Sequence, residues 1–153
     1  MRKARVRLSP ARGTPAEWVL SNRPPATAGG LVAALPWPPS VNSYWRSPPR
    51  LGRTILSERG RAYREAAVQL LMVQRLHGRL TPGRLSIVLS AFPPDERTRD
   101  LDNLLKPVLD VLTHAGTIED DGQFDRLTIE RGPKLAPWGL VTLMIRQLEV
   151  RND

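Results

Sequence analysis

Apolar residues gather in short clusters along the chain, and the spacing within each predicts an element. Leu31-Val32-Ala33-Ala34-Leu35 is an unbroken apolar run stopped by Pro36, which predicts a strand, and Pro38-Pro39-Ser40-Val41-Asn42 predicts the turn after it. From Glu58 the interval becomes helical. Ala62, Ala66, Leu70 and Val73 recur along one side while Arg59, Arg61, Arg64 and Glu65 supply a polar face, so an amphipathic helix is predicted over about 58–77 with that stripe as core. Leu85, Ile87 and Leu89 alternate with Ser86, Val88 and Ser90, the period of a half-buried strand ended by Pro93-Pro94. Beyond the charged loop Asp95-Glu96-Arg97-Thr98-Arg99, the positions Leu104, Leu105, Val108, Leu109 and Leu112 mark a second amphipathic helix closing at Gly116. Two strands, 126–130 and 140–147, follow, joined by a hairpin loop over 132–139.

The order β-α-β-α-β-β predicts an α+β fold: a single two-layer domain with a mixed β-sheet and two main helices on one face. Residues 1–30 lack periodicity and end in Pro24-Pro25-Ala26-Thr27-Ala28-Gly29-Gly30, so they read as a basic, poorly ordered Pro/Gly-rich arm in which Trp18-Val19-Leu20 is the segment able to dock. The folded domain is expected over 31–148, with a short tail at 149–153.

Composition narrows the function. With 153 residues, 41% hydrophobic and 25% charged, the chain suits one globular domain. No apolar run approaches the ~20 residues of a membrane span, and none of signal-peptide length follows the basic start, so a cytoplasmic protein is expected. The absence of cysteine removes disulfides, thiolate nucleophiles and the usual structural zinc sites. A net charge of +8 makes a polyanion the natural partner, although 20 Arg against 3 Lys also fits a compositional bias toward arginine. Arg46, Arg50 and Arg53, in a Pro/Gly-containing loop with Tyr44 and Trp45, suit a DNA backbone.

Chemistry concentrates in Asp100-Leu101-Asp102-Asn103-Leu104-Leu105-Lys106. Two carboxylates two residues apart face one side if the chain is extended there, and Asp102 or Asn103 is a natural N-cap for a helix starting near Leu104. Capping alone also accounts for an aspartate at that place, worth ~0.3–1 kcal/mol against the helix dipole. It does not account for Glu119-Asp120-Asp121, which follows the helix C-terminus, where negative charge opposes the dipole. If the chain returns beside the helix, these carboxylates converge and repel unless a cation sits between them. Such oxygen ligands select a hard cation, Mg²⁺ or alternatively Mn²⁺, and a phosphodiester is the fitting substrate. Lys106 lies one helical turn past Asp102 and projects either toward that site or into a surface pair with Asp110, while Pro107 disfavours helical geometry at Lys106. His77 and His114 read as helix-end residues.

At these residues the chain resembles the RusA family of Holliday junction resolvases. The resemblance is carried by Asp100-Leu101-Asp102-Asn103 with Lys106, then Leu112-Thr113-His114-Ala115-Gly116, then Asp120-Asp121-Gly122-Gln123. Leu35-Pro36-Trp37-Pro38-Pro39-Ser40-Val41-Asn42 and Ser57-Glu58-Arg59-Gly60 with Tyr63-Arg64 add to it, so that it covers about 31–147. It implies a homodimeric, Mg²⁺-dependent endodeoxyribonuclease that resolves four-way DNA junctions in recombination and repair. Asp100, Asp102 and Asp121 would be its catalytic, metal-binding aspartates, with Lys106 required for cleavage, Asp120 beside the centre and Asn42 near it. Arg97 and Arg99 are candidate DNA contacts by proximity. The competing reading is a branched-DNA-binding protein without catalysis, whose acidic cluster holds a structural ion.

Overall fold

The computed structural model describes Ser9 and residues 11–149. The basic residues at the very start of the arm and the end of the tail lie outside the described residues. Helix α1 (Pro15–Ser21) precedes strand β1 (Gly30–Pro36), the short helix α2 (Val41–Tyr44), a ribbon of β2 (Trp45–Arg46) and β3 (Ile55–Leu56), and helix α3 (Glu58–Val73). Then come β4 (Leu85–Phe92), α4 (Asp102–His114), a single 3-10 turn at Asp121–Gln123, β5 (Phe124–Arg131) and β6 (Leu140–Gln147). The main sheet has the order β1-β6-β4-β5, with β6 antiparallel to both neighbours and β4 parallel to β5. The mixed-sheet α+β class matches the expectation.

The last two strands do not form the expected hairpin. The run Leu140–Ile145 is nearly continuously buried, as a strand covered on both faces must be, and it lies in the middle of the sheet. Strand β5 exposes Asp125, Arg126 and Leu127 and takes the edge beside β4. The connecting segment passes the end of β4, where Gly132 N–H donates to the Ala91 carbonyl at 2.8 Å and Leu135 N–H to that of Pro93 at 2.7 Å. Gly139 (φ +65) closes the passage; a Cβ there would stand 2.7 Å from the backbone nitrogen of Pro94.

Leu85, Ile87 and Leu89 are fully buried and share one sheet face with Leu143 and Ile145. The apolar sides of α3 and α4 belong to the same hydrophobic cluster. On α3 the buried side is Gly60, Tyr63, Ala67, Leu70 and Leu71, one position round from the expected stripe; Ala62 and Ala66 are exposed, as is Val73. The bulkier Tyr63 and Leu71 set the face because they bury more area than alanine. The helix ends at Val73 rather than near His77, because Arg75 adopts φ 61 and the Leu76 N–H turns back to the Leu71 carbonyl at 2.9 Å.

Edge strand β1 is covered by side chains. Gln74, 4% exposed, accepts from the Ala34 N–H at 2.8 Å and donates to its carbonyl at 2.9 Å, while Arg23 donates to the Val32 carbonyl. From residue 11 on, the poorly ordered arm is corrected. Thr14 and Glu17 form a capping box that starts α1, and Trp18 and Val19 are each only 1% exposed. The Trp18 indole donates to the Ser9 carbonyl at 2.9 Å and meets the Trp138 ring edge-on at 5.5 Å. Apolar burial and these contacts offset the ordering entropy that composition alone suggested would win. Trp18→Ala should therefore destabilise the domain by about 3–5 kcal/mol, read from the midpoint of denaturant unfolding; an unchanged midpoint would restore the free-arm reading.

Candidate active site

Helix α4 starts two residues earlier than the capping argument requires. Its N-cap is Leu101, in helical geometry (φ −63, ψ −36) without a side-chain cap bond, and Asp102 is the first helical residue. The Asp100–Asp102 segment is therefore bent rather than extended, and strand alternation does not set the directions of its carboxylates. Asp102 still benefits from the dipole at the helix N-terminus. Pro107 lies inside α4 and is buried, so Lys106 is helical despite it; the helix forgoes one backbone bond there and keeps the apolar contact.

The return of the chain is set by Gln123, 8% exposed. Its amide accepts from the Glu119 and Asp120 N–H groups at 2.8 and 3.1 Å and donates to the Thr81 and Gly83 carbonyls, both at 2.9 Å. Asp120 caps the 3-10 turn by accepting from the Gly122 N–H at 2.9 Å, so its side chain serves the turn. Asp121, the next residue, pairs with the Lys106 ammonium. That contact holds the Asp121 carboxyl below its ordinary range and keeps it anionic. Lys106 is thus paired with Asp121, and Asp110 is engaged elsewhere: Arg64 of α3 donates to it at 2.9 and 3.1 Å, and the Tyr44 hydroxyl donates to it as well.

Lys106 and Asp121 thus meet beside α4, and Asp102 lies four residues before Lys106, the spacing at which helix side chains are neighbours. Asp100 and Asp102 are exposed and carry no ion pair among the described residues. Among those residues no three acidic or histidine side chains stand close enough to hold a metal ion.

Asp100 also lines a cleft of about 730 Å³ with Arg97, Thr98, Arg99 and Asn103 on one wall. Trp37, Ser40, Ser43, Arg59 and Tyr63 form the other. Arg99 is fixed there: it donates to Asp95 at 2.6 and 3.0 Å and stacks over Trp37 at 5.6 Å. Arg97 is exposed beside it, 3.9 Å from Asp95. Helical periodicity assigns Arg59 to a solvated face; the structure brings it to the cleft because Gly60 lets α3 approach α2, where a Cβ would collide with the Tyr44 carbonyl. Arg46, Arg50 and Arg53 are exposed on the β2–β3 ribbon and carry no ion pair among the described residues, and Asn42 is exposed on α2. Tyr44 is not a surface aromatic of that loop. It is fully buried, with Trp45 edge-on to it at 4.4 Å.

The mixed-sheet domain thus arranges carboxylates, a lysine and an arginine-lined cleft about one helix. Residues 36–144, well over half of the chain, match the family Endodeoxyribonuclease RusA, and the chain belongs to that family. A relative from Enterobacteria phage HK97, a crossover junction endodeoxyribonuclease, is 44% identical over 115 residues, covering 75% of this chain and 92% of the relative. Relatives of the same name from Shigella sonnei (strain Ss046) and Escherichia coli (strain K12) are 43% identical over 90 residues, 58% of this chain and 72% of theirs.

Asp95 tests the rigidity of the cleft wall. Its hydrogen bonds from Arg99, then from the Arg97 N–H, push its carboxyl from the ordinary 3.8 down to about 2. A depressed carboxyl contributes stability that is complete above the ordinary value and disappears as pH falls through the folded one. The stability difference between wild type and Asp95→Asn should be flat above pH 3.8 and shrink toward pH 2. An NMR titration of Asp95 centred near 3.8 would contradict the contact.

Proposed function

We propose that this protein is a structure-selective endodeoxyribonuclease that resolves four-way DNA junctions by paired nicks, using Mg²⁺ and acting as a homodimer in recombination and repair. The observation that carries the reading is the Lys106–Asp121 contact, which attaches the second acidic segment to the helix of the first. The family match and the relatives named crossover junction endodeoxyribonucleases support the substrate. A four-way junction has approximate two-fold symmetry, so two copies of a one-site domain suit two matched cuts.

The donor set fits a hard divalent ion, because Asp100, Asp102 and Asp121 offer carboxylate oxygens and the chain has no cysteine. These three would hold it once brought together, since they do not stand close enough to do so in this structure; Mn²⁺ is the alternative occupant. Bound there, the ion supplies Lewis-acid polarisation of the phosphate and activation of water. The protein's own groups do the rest. The Lys106 ammonium neutralises charge growing on the phosphate oxygens as water oxygen bonds to phosphorus and the leaving oxygen departs with a proton. Arg97, Arg99 and Arg59 orient the strand along the cleft, and Arg46, Arg50 and Arg53 grip the backbone further out. The second reading is a non-catalytic junction-binding protein with a structural ion.

Two experiments decide. Asp102→Asn should abolish Mg²⁺-dependent nicking of a synthetic four-way junction and leave binding nearly unchanged; wild-type protein that binds but never nicks would establish the second reading. Replacing Arg46, Arg50 and Arg53 together by alanine should flatten the slope of log affinity against log salt by about 0.9 for each phosphate that the ribbon neutralises in the wild type. An unaltered slope would remove the ribbon from the DNA interface.

A further inference from the structure

Lys106 has a carboxylate one helical turn away in each direction, Asp102 before it and Asp110 after it, and residues four apart on a helix are side-chain neighbours. Asp110 is nonetheless withheld from it. Arg64 donates to Asp110 Oδ2 through Nε at 3.1 Å and Nη2 at 2.9 Å, and reaches Oδ1 at 3.2 Å. The Tyr44 hydroxyl adds a further bond to Oδ2. The Arg64 and Asp110 side chains are only 26% and 23% exposed, and Tyr44 is fully buried, so this contact is shielded from solvent more than a surface pair. Its members come from α2, α3 and α4.

We infer that Arg64 and Tyr44 are positioning residues for Lys106: by engaging Asp110 they deny its carboxylate to the ammonium one turn earlier, and Lys106 stays paired with Asp121. The inference rests on the proposed role of Lys106 in cleavage. It predicts an asymmetry that a simple interhelical staple does not. Asp110 made neutral poses no competition, whereas Asp110 left charged and released from Arg64 does.

The test uses full-length protein with ¹⁵N-labelled lysine, read at the side-chain ammonium. Three lysines make the spectrum simple, and Lys134, paired with Glu96 at 2.8 Å, is an internal reference. In Arg64→Met the Lys106 signal should shift, and single-turnover nicking should fall roughly three- to tenfold, in proportion to the fraction of Lys106 drawn to Asp110, with junction affinity unchanged. Asp110→Asn should leave signal and rate near wild type, and Arg64→Met/Asp110→Asn should restore both. Tyr44→Phe keeps the arginine bonds and should move the signal the same way by less, which gives a readout if Arg64→Met does not fold. The inference is overturned if the Lys106 signal stays in place in Arg64→Met and Tyr44→Phe while only thermal stability drops, or if the double variant is as impaired as Arg64→Met. Lys106→Ala separates the two claims: persistent nicking refutes the role of Lys106 in cleavage, while the ammonium signals of the other variants still report whether Arg64 governs its partner.

Discussion

Parallel pairing of β4 with β5 constrains the site more than any single contact, because parallel neighbours cannot be joined by a tight turn and need a crossing element. Helix α4 is that crossing. It leaves the end of β4 through the loop that carries Arg97, Arg99 and Asp100, and it delivers the chain to the acidic turn before β5. The two acidic segments thus flank one helix in the sequence, one before it and one after it. A long side chain rising from its first half, Lys106, pairs with the second of them at Asp121. Gln123 makes the connection reproducible, since its bonds tie the acidic turn to Thr81 and Gly83, just ahead of β4.

The charged groups around this helix are sorted by partner. Asp95 is taken by Arg99, Asp110 by Arg64 and Tyr44, and Asp121 by Lys106, while Asp100 and Asp102 stay exposed and unpaired among the described residues. A pair of anions on an otherwise basic chain is the arrangement that a cation between protein and phosphate would relieve. The partly shielded pairs carry geometry as much as energy. Arg99 presents a fixed guanidinium against Trp37, and Arg64 links α3 to α4 at a point where both helices are also packed in the core.

The rest of the fold keeps this frame in register. Strand β6, buried on both faces, joins the β1 edge to β4, and Gln74 and Arg23 satisfy the outward backbone groups of β1. Helix α1 adds Trp18 against Trp138, so the loop between β5 and β6 and the segment before β1 brace each other. Gly60 and Gly139 mark close approaches, one of α3 to α2 and one of the β5–β6 connection to the end of β4, where a side chain would collide with backbone.

What the sequence determined was local: β1, β4 and α4 follow from the spacing of Leu31–Leu35, of Leu85, Ile87 and Leu89, and of Leu104 through Leu112, while for α3 periodicity found the helix but put its buried side one position away. The family was legible too, since the ordered spacing of Asp100, Asp102, Lys106 and Asp121 about one helix resembles its signature. Decisions that depend on residues far apart in the chain belonged to the tertiary structure. It alone placed β6 between β1 and β4 instead of beside β5, docked Trp18, chose Asp121 over Asp110 for Lys106, and carried Arg59 to the cleft. Each of these is a competition between partners of similar intrinsic worth, and packing of the whole domain, which no local window contains, settles it.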